Sequence, residues 1–424
     1  MVATSPSSFS ERLQELFAQQ STLGAFQGVR ERAFQQLLQQ GLPDRKQEDY
    51  NYLPLRELYE TPFVLAKGQS FSKEEITSFV LPECKDSCLV FVNGVLDKEL
   101  SFLSKIPATM VILSLQEAMR SYGSFLQARY ARMLNDESDA FLRVNLGLAT
   151  DGAFLFVPPD LSIEVPIQCL HLVQGENTEM SLVVPRLHLS LGRGAKVDIV
   201  QTMQKLGPHP VCVQGAIDAA LEEGAKLNFI SALSQNDLWY FDALYATLKR
   251  HSKIEAISLT SGTRCERHLV RIALLGEEAS ADLQGLSLLE GSAEVHHHIR
   301  VDHIAPNTHS LQRFKSVLKE RSRASFQGKI YVAKEAQKTQ AYQRNNTLLL
   351  GDNAITYSKP NLEIYADDVK ASHGATVSEL DPSQLFYLTS RGLGQEDAKD
   401  LLVFGFCEEL LSKIPYRSLH EEGT

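Results

Sequence analysis

His373 is the only histidine in the stretch Tyr365 to Gly392, YADDVKASHGATVSELDPSQLFYLTSRG. An imidazole titrates near neutral pH and suits iron, so His373 could serve as a neutral ligand or as a proton acceptor at a subunit contact. Its plainer reading is a core or interface histidine that satisfies hydrogen bonds. Asp367-Asp368 lies just upstream, and paired carboxylates can act as acid and base around a sugar. Consecutive strand residues point to opposite faces, however, and Trp239 is the only tryptophan available to stack on a sugar. Capping of a turn or strand end is the better reading of the pair.

His296-His297-His298 is the densest histidine cluster. On a strand, alternation puts His296, His298, Arg300 and Asp302 on one face and Val295, His297, Ile299 and Val301 on the other. An H-x-H pair on one face can bind a metal, as in cupin-like barrels, where a glutamate follows three or four residues later. Val301 and Asp302 stand there instead. A cupin-like metal-dependent enzyme using His296 and His298 is therefore one reading, and a polar solenoid face is the other. Cys84 and Cys88 form a C-x3-C pair with no second pair to complete a metal site, which leaves them as ordinary thiols. No G-x-x-x-x-G-K-[ST] occurs, and Gly192-Arg-Gly194 lacks the third glycine of a dinucleotide fingerprint.

A formal net charge of -10 argues against a nucleic-acid surface, which relies on clustered Lys and Arg. The start MVATSPSSFSERL shows no basic segment followed by an apolar one, so no secretory signal is expected. Apolar runs such as Leu401 to Phe406 and Leu89 to Val92 are far shorter than the roughly 20 residues of a membrane-spanning helix. The six cysteines are scattered rather than spaced as a disulfide framework. A soluble protein of a reducing cytoplasm is the expectation.

The elements that must position these groups fall into three regions. Residues 1–150 read as a helical and α/β region. Two helical patterns run from Ser10 to Gln40, the second carrying Phe26, Val29, Ala33, Leu37 and Leu38. A strand over Leu89 to Val92 ends at the turn Asn93-Gly94, and a helix follows over Leu115 to Asn135.

Residues 151–377 change to short alternating strands such as Phe154 to Val157, Gln168 to Val173, Val197 to Val200 and Ile254 to Leu259. Small-residue turns recur at Gly194-Ala-Lys-Val197, Gly224-Ala-Lys-Leu227, His251-Ser-Lys-Ile254 and Glu278-Ala-Ser-Ala281, with starts 30, 27 and 27 residues apart. A near-constant period without helices points to a stacked β-solenoid. A sandwich or jelly roll would explain the turns but not the spacing. Such a solenoid needs end caps, which the N-terminal region and the C-terminal helices could supply.

Residues 378–424 are helical. Asp381 is the expected N-cap, with Pro382 at the first position, Gln384 completing a capping box and Gly392 at C′. A second helix runs from Glu396 to about Lys413. Its Leu401-to-Phe406 stretch is apolar all round and must be covered on more than one side, by the chain itself or by a partner.

The Tyr365-to-Arg391 segment, with ADDVKASHGAT, Leu-Asp-Pro and LFYLTSRG, resembles the C-terminal signature of the SufB and SufD family of iron-sulfur cluster assembly proteins of the SUF system. The likeness extends upstream through NNTLLLGDNA, KPNLEIYADD, VNLGLATDGAFLFVPPDLSIEVPI and LPDRKQEDYNYLPL, and so covers most of the chain. It implies a mainly β protein, a right-handed parallel β-helix flanked by an N-terminal α/β helical region and a C-terminal helical domain. The SufD branch is the better match, because Gly351-Asp-Asn-Ala354 carries alanine where the SufB branch has a functional cysteine.

The resemblance further implies a non-enzymatic scaffold that pairs with a SufB-type paralogue and binds a SufC-type ATPase. Leu385, Phe386, Tyr387, Arg391, Leu401, Leu402, Phe404 and Phe406 would make the ATPase contact. A transient iron-sulfur cluster would form at the SufB–SufD interface, with His373 facing it. The resemblance also allows FAD in the complex and a homodimer in isolation. Many SufD sequences carry cysteine two residues before that histidine, whereas this chain has Ala371. The two residues would share a strand face, so thiolates, the usual cluster ligands, would have to come from the partner.

Overall fold

The computed structural model describes residues 9–20, 27–136, 138–176, 178–234 and 237–422. The reading of the extreme N-terminus and of Phe26 falls outside or partly outside these residues. Nine helices lie among the described residues: α1 (Phe9–Gln19), α2 (Gln27–Gln40), α3 (Leu55–Glu60), α4 (Lys73–Ile76), α5 (Leu115–Asp136), α6 (Ala140–Leu148), α7 (Pro382–Ser390), α8 (Gln395–Leu411) and α9 (Ser418–Glu422). No helix among them is long and apolar enough to cross a membrane.

The remainder is a two-sheet parallel β-solenoid. Sheet A runs through Ala153–Val157, Arg186–Leu191, Ala216–Leu221, Leu238–Leu248, Cys265–Leu274, Glu294–His303, Arg323–Val332 and Ile355–Ile364. Sheet B runs through Ile167–Gln174, Lys196–Leu206, Lys226–Leu233, Lys253–Ser261, Ser280–Leu289, His309–Leu318, Thr339–Leu349 and Val369–Ser378. The chain alternates between sheets, so each strand pairs in parallel with the strand two places on in sequence. Interior rows stack in register, for example Leu248, Leu274, His303 and Val332. Each fully buried aliphatic side chain in such a row contributes about 1.5–3 kcal/mol.

The turn period has a backbone cause. Gly194, Gly224, His251 and Glu278 all adopt positive φ, between 56° and 70°, and the series continues at Asn307 and Lys338. Each uses its N–H to bond the next coil's turn, as Gly194 does to the Glu223 carbonyl at 2.8 Å and Gly224 to the Arg250 carbonyl at 2.9 Å. A left-handed residue per coil therefore propagates the stack, and glycine is the residue that adopts it at least cost.

Outside this tube, the two outer faces are covered by different ends of the chain. Helices α1, α2, α5 and α6 pack on sheet A against Trp239, Phe241, Cys265, Ala243 and Leu269. Asp139 caps α6 by accepting from the Leu142 N–H, and its carboxylate also pairs with the buried Arg267 at 2.6 Å. One side chain thus fixes both the start of the helix and its seat on the sheet. Cys88–Val92 and Val95–Phe102 form a hairpin about the expected turn, with Asn93 and Gly94 both at positive φ. That hairpin and Val111–Ser114, antiparallel to Ala153–Val157, close the N-terminal ends of the two sheets.

The C-terminal helices do not cap the other end, contrary to the sequence expectation. They turn back along the outer face of sheet B, where Cys407, Leu410, Leu411 and Ile414 pack on Ile230, Ile257, Leu259, Leu286 and Val317. An apolar outer stripe on sheet B offered them more burial than the polar end of the tube. Tyr416 donates to Asp198 at 2.5 Å and Ser418 to Glu83 at 2.7 Å, anchoring the tail far back along the stack. In α7, Asp381 caps through the Ser383 N–H at 2.8 Å and Gly392 takes positive φ as expected, but the reciprocal Gln384 bond of a capping box does not form.

Buried histidines make the fold sensitive to acid. Burial lowers His171 to about 4 and His303 to about 3, and it also depresses His297 and His298. The unfolded chain takes these protons near pH 6.5, as a free imidazole does, while the folded chain refuses them. Their stabilisation is therefore complete above about pH 6.5 and is lost as pH falls. His268 acts in the opposite sense: despite burial, Asp242 and Glu266 raise it, so its contribution holds below about pH 6.5 and fades as pH climbs. His171, stacked on Phe91 with neither ring nitrogen hydrogen-bonded, isolates the first effect. Urea unfolding of His171→Phe at pH 7 and pH 5 is expected to show a loss of stability between the two smaller by about 2 kcal/mol than in the unaltered chain. An unchanged loss would show that His171 does not contribute.

Candidate functional site

The C-terminal end of the solenoid is open. Ile355–Ile364 and Val369–Ser378 are the last strands of their sheets, each paired on one side only. Nearly every residue of Val369–Ser378 is exposed, in contrast to the buried strands of the coils behind it. The outer side of Ile355–Ile364 is partly covered by the N-terminal region, where Tyr52 stacks on Tyr357 at 4.2 Å and Glu48 pairs with Lys359. That strand also contains Lys359 and Pro360, residue types that blunt a sheet edge, whereas Val369–Ser378 contains no proline.

His373 sits in this exposed edge strand, on an inward-facing row. Parallel register carries that row through Ile199, Phe229, Ala256, Leu283, Gln312 and Gln343 to His373. Its chemistry changes along the tube, from apolar to amide to imidazole. Gln343 donates to the Gln312 side-chain oxygen at 2.7 Å. Gly328 on the opposite sheet makes room for that amide, since a Cβ there would lie 2.1 Å from Gln343 Nε2. Asn345, one row over, donates to Ser358 Oγ at 3.0 Å. The mouth of the tube is thus lined with polar groups that order one another and end at an accessible imidazole.

Ala371 pairs with Ala341 in the neighbouring inward row, so residues 371 and 373 share a face and no thiol stands beside the imidazole. All six cysteines are free and buried. Burial pushes the Cys84 thiol up to about 12 and raises Cys88 further, so neither is a ready thiolate. Ala354 closes a turn in which its N–H bonds the Gly351 carbonyl at 3.1 Å. Asp367 and Asp368 lie in an exposed turn; the Asp368 carbonyl accepts from the Lys338 N–H and its own N–H donates to Gln337. The Asp368 backbone thus ties this turn to the coil behind it, as a capping role requires.

Helices α7 and α8 carry the second accessible surface. Phe386 and Tyr387 are 74% and 57% exposed, and Leu401 and Phe404 are each 49% exposed. Arg391 lies over the Tyr387 ring at 5.2 Å. Leu385, Leu402 and Phe406 are half-buried. Phe406 serves the chain itself, because Lys315 donates to its carbonyl at 2.7 Å, lies over its ring and pairs with Glu409. The stretch from Leu401 to Phe406 is therefore covered on one side and open on the other.

The histidine triplet corrects the cupin-like alternative. His296 and His298 do share the outer face of sheet A and His297 points inward, as alternation requires. They do not converge on a common point. His296 contacts Ser325 Oγ at 2.8 Å and Glu294 at 3.2 Å, while His298 faces Asp49 at 3.7 Å and Arg271 at 3.5 Å. His296 is buried and His298 half-buried against the N-terminal region rather than gathered in a barrel mouth, and the surrounding fold is a solenoid. Sequence reading missed that Cys265 lies beside Glu294 in the adjacent strand. Extending the 27-to-30-residue period to this pair, 29 apart, would have found it.

Comparison with known proteins agrees with this geometry. A family model described as "SUF system FeS cluster assembly, SufBD core domain" matches residues 171–406, and one described as "SufBD protein N-terminal region" matches residues 7–169. An iron-sulfur cluster assembly SufBD family protein of Synechocystis is 30% identical over 389 residues, 89% of this chain and 85% of that protein. The iron-sulfur cluster assembly protein SufD of Escherichia coli is 29% identical over 400 residues, 92% of this chain and 89% of that protein. The SufB protein of Bacillus subtilis is 20% identical over 355 residues, 81% of this chain and 74% of that protein.

Proposed function

Because this chain belongs to the SufBD family of iron-sulfur cluster assembly proteins, we propose that it is a scaffold subunit, not an enzyme, that pairs with a SufB-type paralogue through the open end of its solenoid. The observation that carries this reading is the last coil: an exposed, proline-free edge strand with His373 in its inward row. An unpaired strand is a template for strand addition, and a second solenoid docked there would continue both the ladders and the polar interior.

In that arrangement His373 offers one imidazole nitrogen to a transient iron-sulfur cluster at the junction. The thiolates come from the paralogue, since no cysteine of this chain stands beside His373 and Ala371 and Ala354 are inert. Iron and sulfide are the cargo. Helices α7 and α8 bind a SufC-type ATPase through Phe386, Tyr387, Leu401 and Phe404. Their seat on sheet B gives ATPase motion a lever on the solenoid, and the coupling requires an interface with two discrete states.

The two contacts are separable by mutation. Phe386→Ser combined with Leu401→Ser is expected to abolish co-purification of the ATPase while the paralogue is retained, because both side chains are exposed and neither supports the core. Retention of the ATPase, or loss of both partners together, would contradict the assignment of this surface.

A further inference from the structure

The outer face of sheet A holds a second cluster with no part in the function proposed above. Alternation puts Glu294 and His296 on the same face of one strand, and parallel register sets Cys265 beside Glu294 on the strand before and Ser325 beside His296 on the strand after. The ligand atoms of Cys265, Glu294 and His296 all lie within 4.8 Å of one another, and the three residues are 0%, 9% and 5% exposed.

The surroundings orient each donor. Ser325 Oγ holds His296 Nδ1 at 2.8 Å, which turns Nε2 toward Glu294 Oε2 at 3.2 Å. Arg323 reaches the other Glu294 oxygen at 3.4 Å. Arg267, the neighbour of His296 on the opposite side, is drawn away by Asp139 at 2.6 Å and does not occupy the centre. Outer partners that fix the ring and the carboxylate are what metal sites use to orient their ligands.

We propose that Cys265, Glu294 and His296 bind one borderline-soft divalent cation of the zinc class, as a clasp between two successive coils beneath the N-terminal region. Sulfur, nitrogen and oxygen donors together suit such an ion, and three protein ligands leave a fourth position for water. On binding, the Cys265 thiol proton goes to solvent and the imidazole carries its proton on Nδ1, donated to Ser325, so that Nε2 is the ligand. The site is separate from His373, which lies on the other sheet at the open end of the tube.

The test uses the full chain alone, without partner, iron or sulfide, after treatment with a chelator. One equivalent of Co²⁺ should produce a thiolate-to-metal charge-transfer band, one equivalent of Zn²⁺ should displace it, and Zn²⁺ should raise the thermal midpoint. Cys265→Ser should remove the band, and Ser325→Ala should weaken Zn²⁺ affinity by about tenfold or more while keeping the band. No band at saturating Co²⁺, or an undiminished band in Cys265→Ser, overturns the proposal. Should Cys265→Ser fail to fold, Ser325→Ala decides: unchanged affinity there overturns it.

Discussion

Replacing His373 with alanine should lower cluster formation on the assembled complex by about tenfold or more, with folding and pairing unchanged. Loss of an oriented ligand or its supporting contact typically costs metal sites that much. The side chain is exposed on an edge strand and belongs to none of the buried clusters, so the melting curve should move by no more than about 0.5 kcal/mol. Pairing should persist because the strand's backbone groups are untouched. Anaerobic reconstitution with iron and sulfide, followed by absorbance and metal analysis, reads the effect. Cluster yield equal to that of the unaltered chain would reduce His373 to a surface histidine.

A larger effect is expected from charging the mouth of the tube. Ala375 and Val377 follow His373 in the same inward-facing set of the last strand, opposite Asn345 and Thr347. Both are exposed, with Val377 at 53%, so a longer side chain costs the isolated chain little. Ala375→Lys with Val377→Lys would force two ammonium groups into the junction with the paralogue. Burying unpaired charge is costly enough that the affinity should fall by about a hundredfold or more. Size-exclusion chromatography with light scattering, run beside a thermal melt of the variant alone, separates lost pairing from lost folding. A complex that still forms at the original affinity would mean the paralogue docks elsewhere.

Much of the scaffold was legible because stacking imposes a local rule. One residue per coil must take positive φ, and Gly194 and Gly224 announce it openly, while His251 and Glu278 do so only through the small residues that follow. Asn307 and Lys338 obey the same rule without a glycine, and only the asparagine is a residue type that favours positive φ, so the later coils were harder to read. Alternation alone sorted His296 and His298 from His297, because strand geometry fixes facing independently of environment.

What the sequence withheld depends on which distant surfaces meet. The apolar stretch from Leu401 to Phe406 called for a cover, but nothing in it shows that α8 would lie back along sheet B and leave the tube open. That outcome follows from Ile230, Ile257, Leu286 and Val317, which form one stripe only after the coils are stacked. The role of Phe406 was obscured for the same reason: Lys315, 91 residues away, ties it to the sheet, while Phe404 stays outside. The partnership of His296 with Cys265 required the register between coils, which a single strand does not reveal.

The central claim is that the last coil is the docking edge and that His373 lies within it. Hydrogen–deuterium exchange of this chain, alone and with the SufB-type paralogue, tests it most directly. Pairing should slow exchange across Val369–Ser378 and Ile355–Ile364, His373 included, and leave the coils around Lys226–Leu233 unchanged. Protection confined to any other surface, with exchange in Val369–Ser378 as fast in the complex as in the free chain, would contradict it.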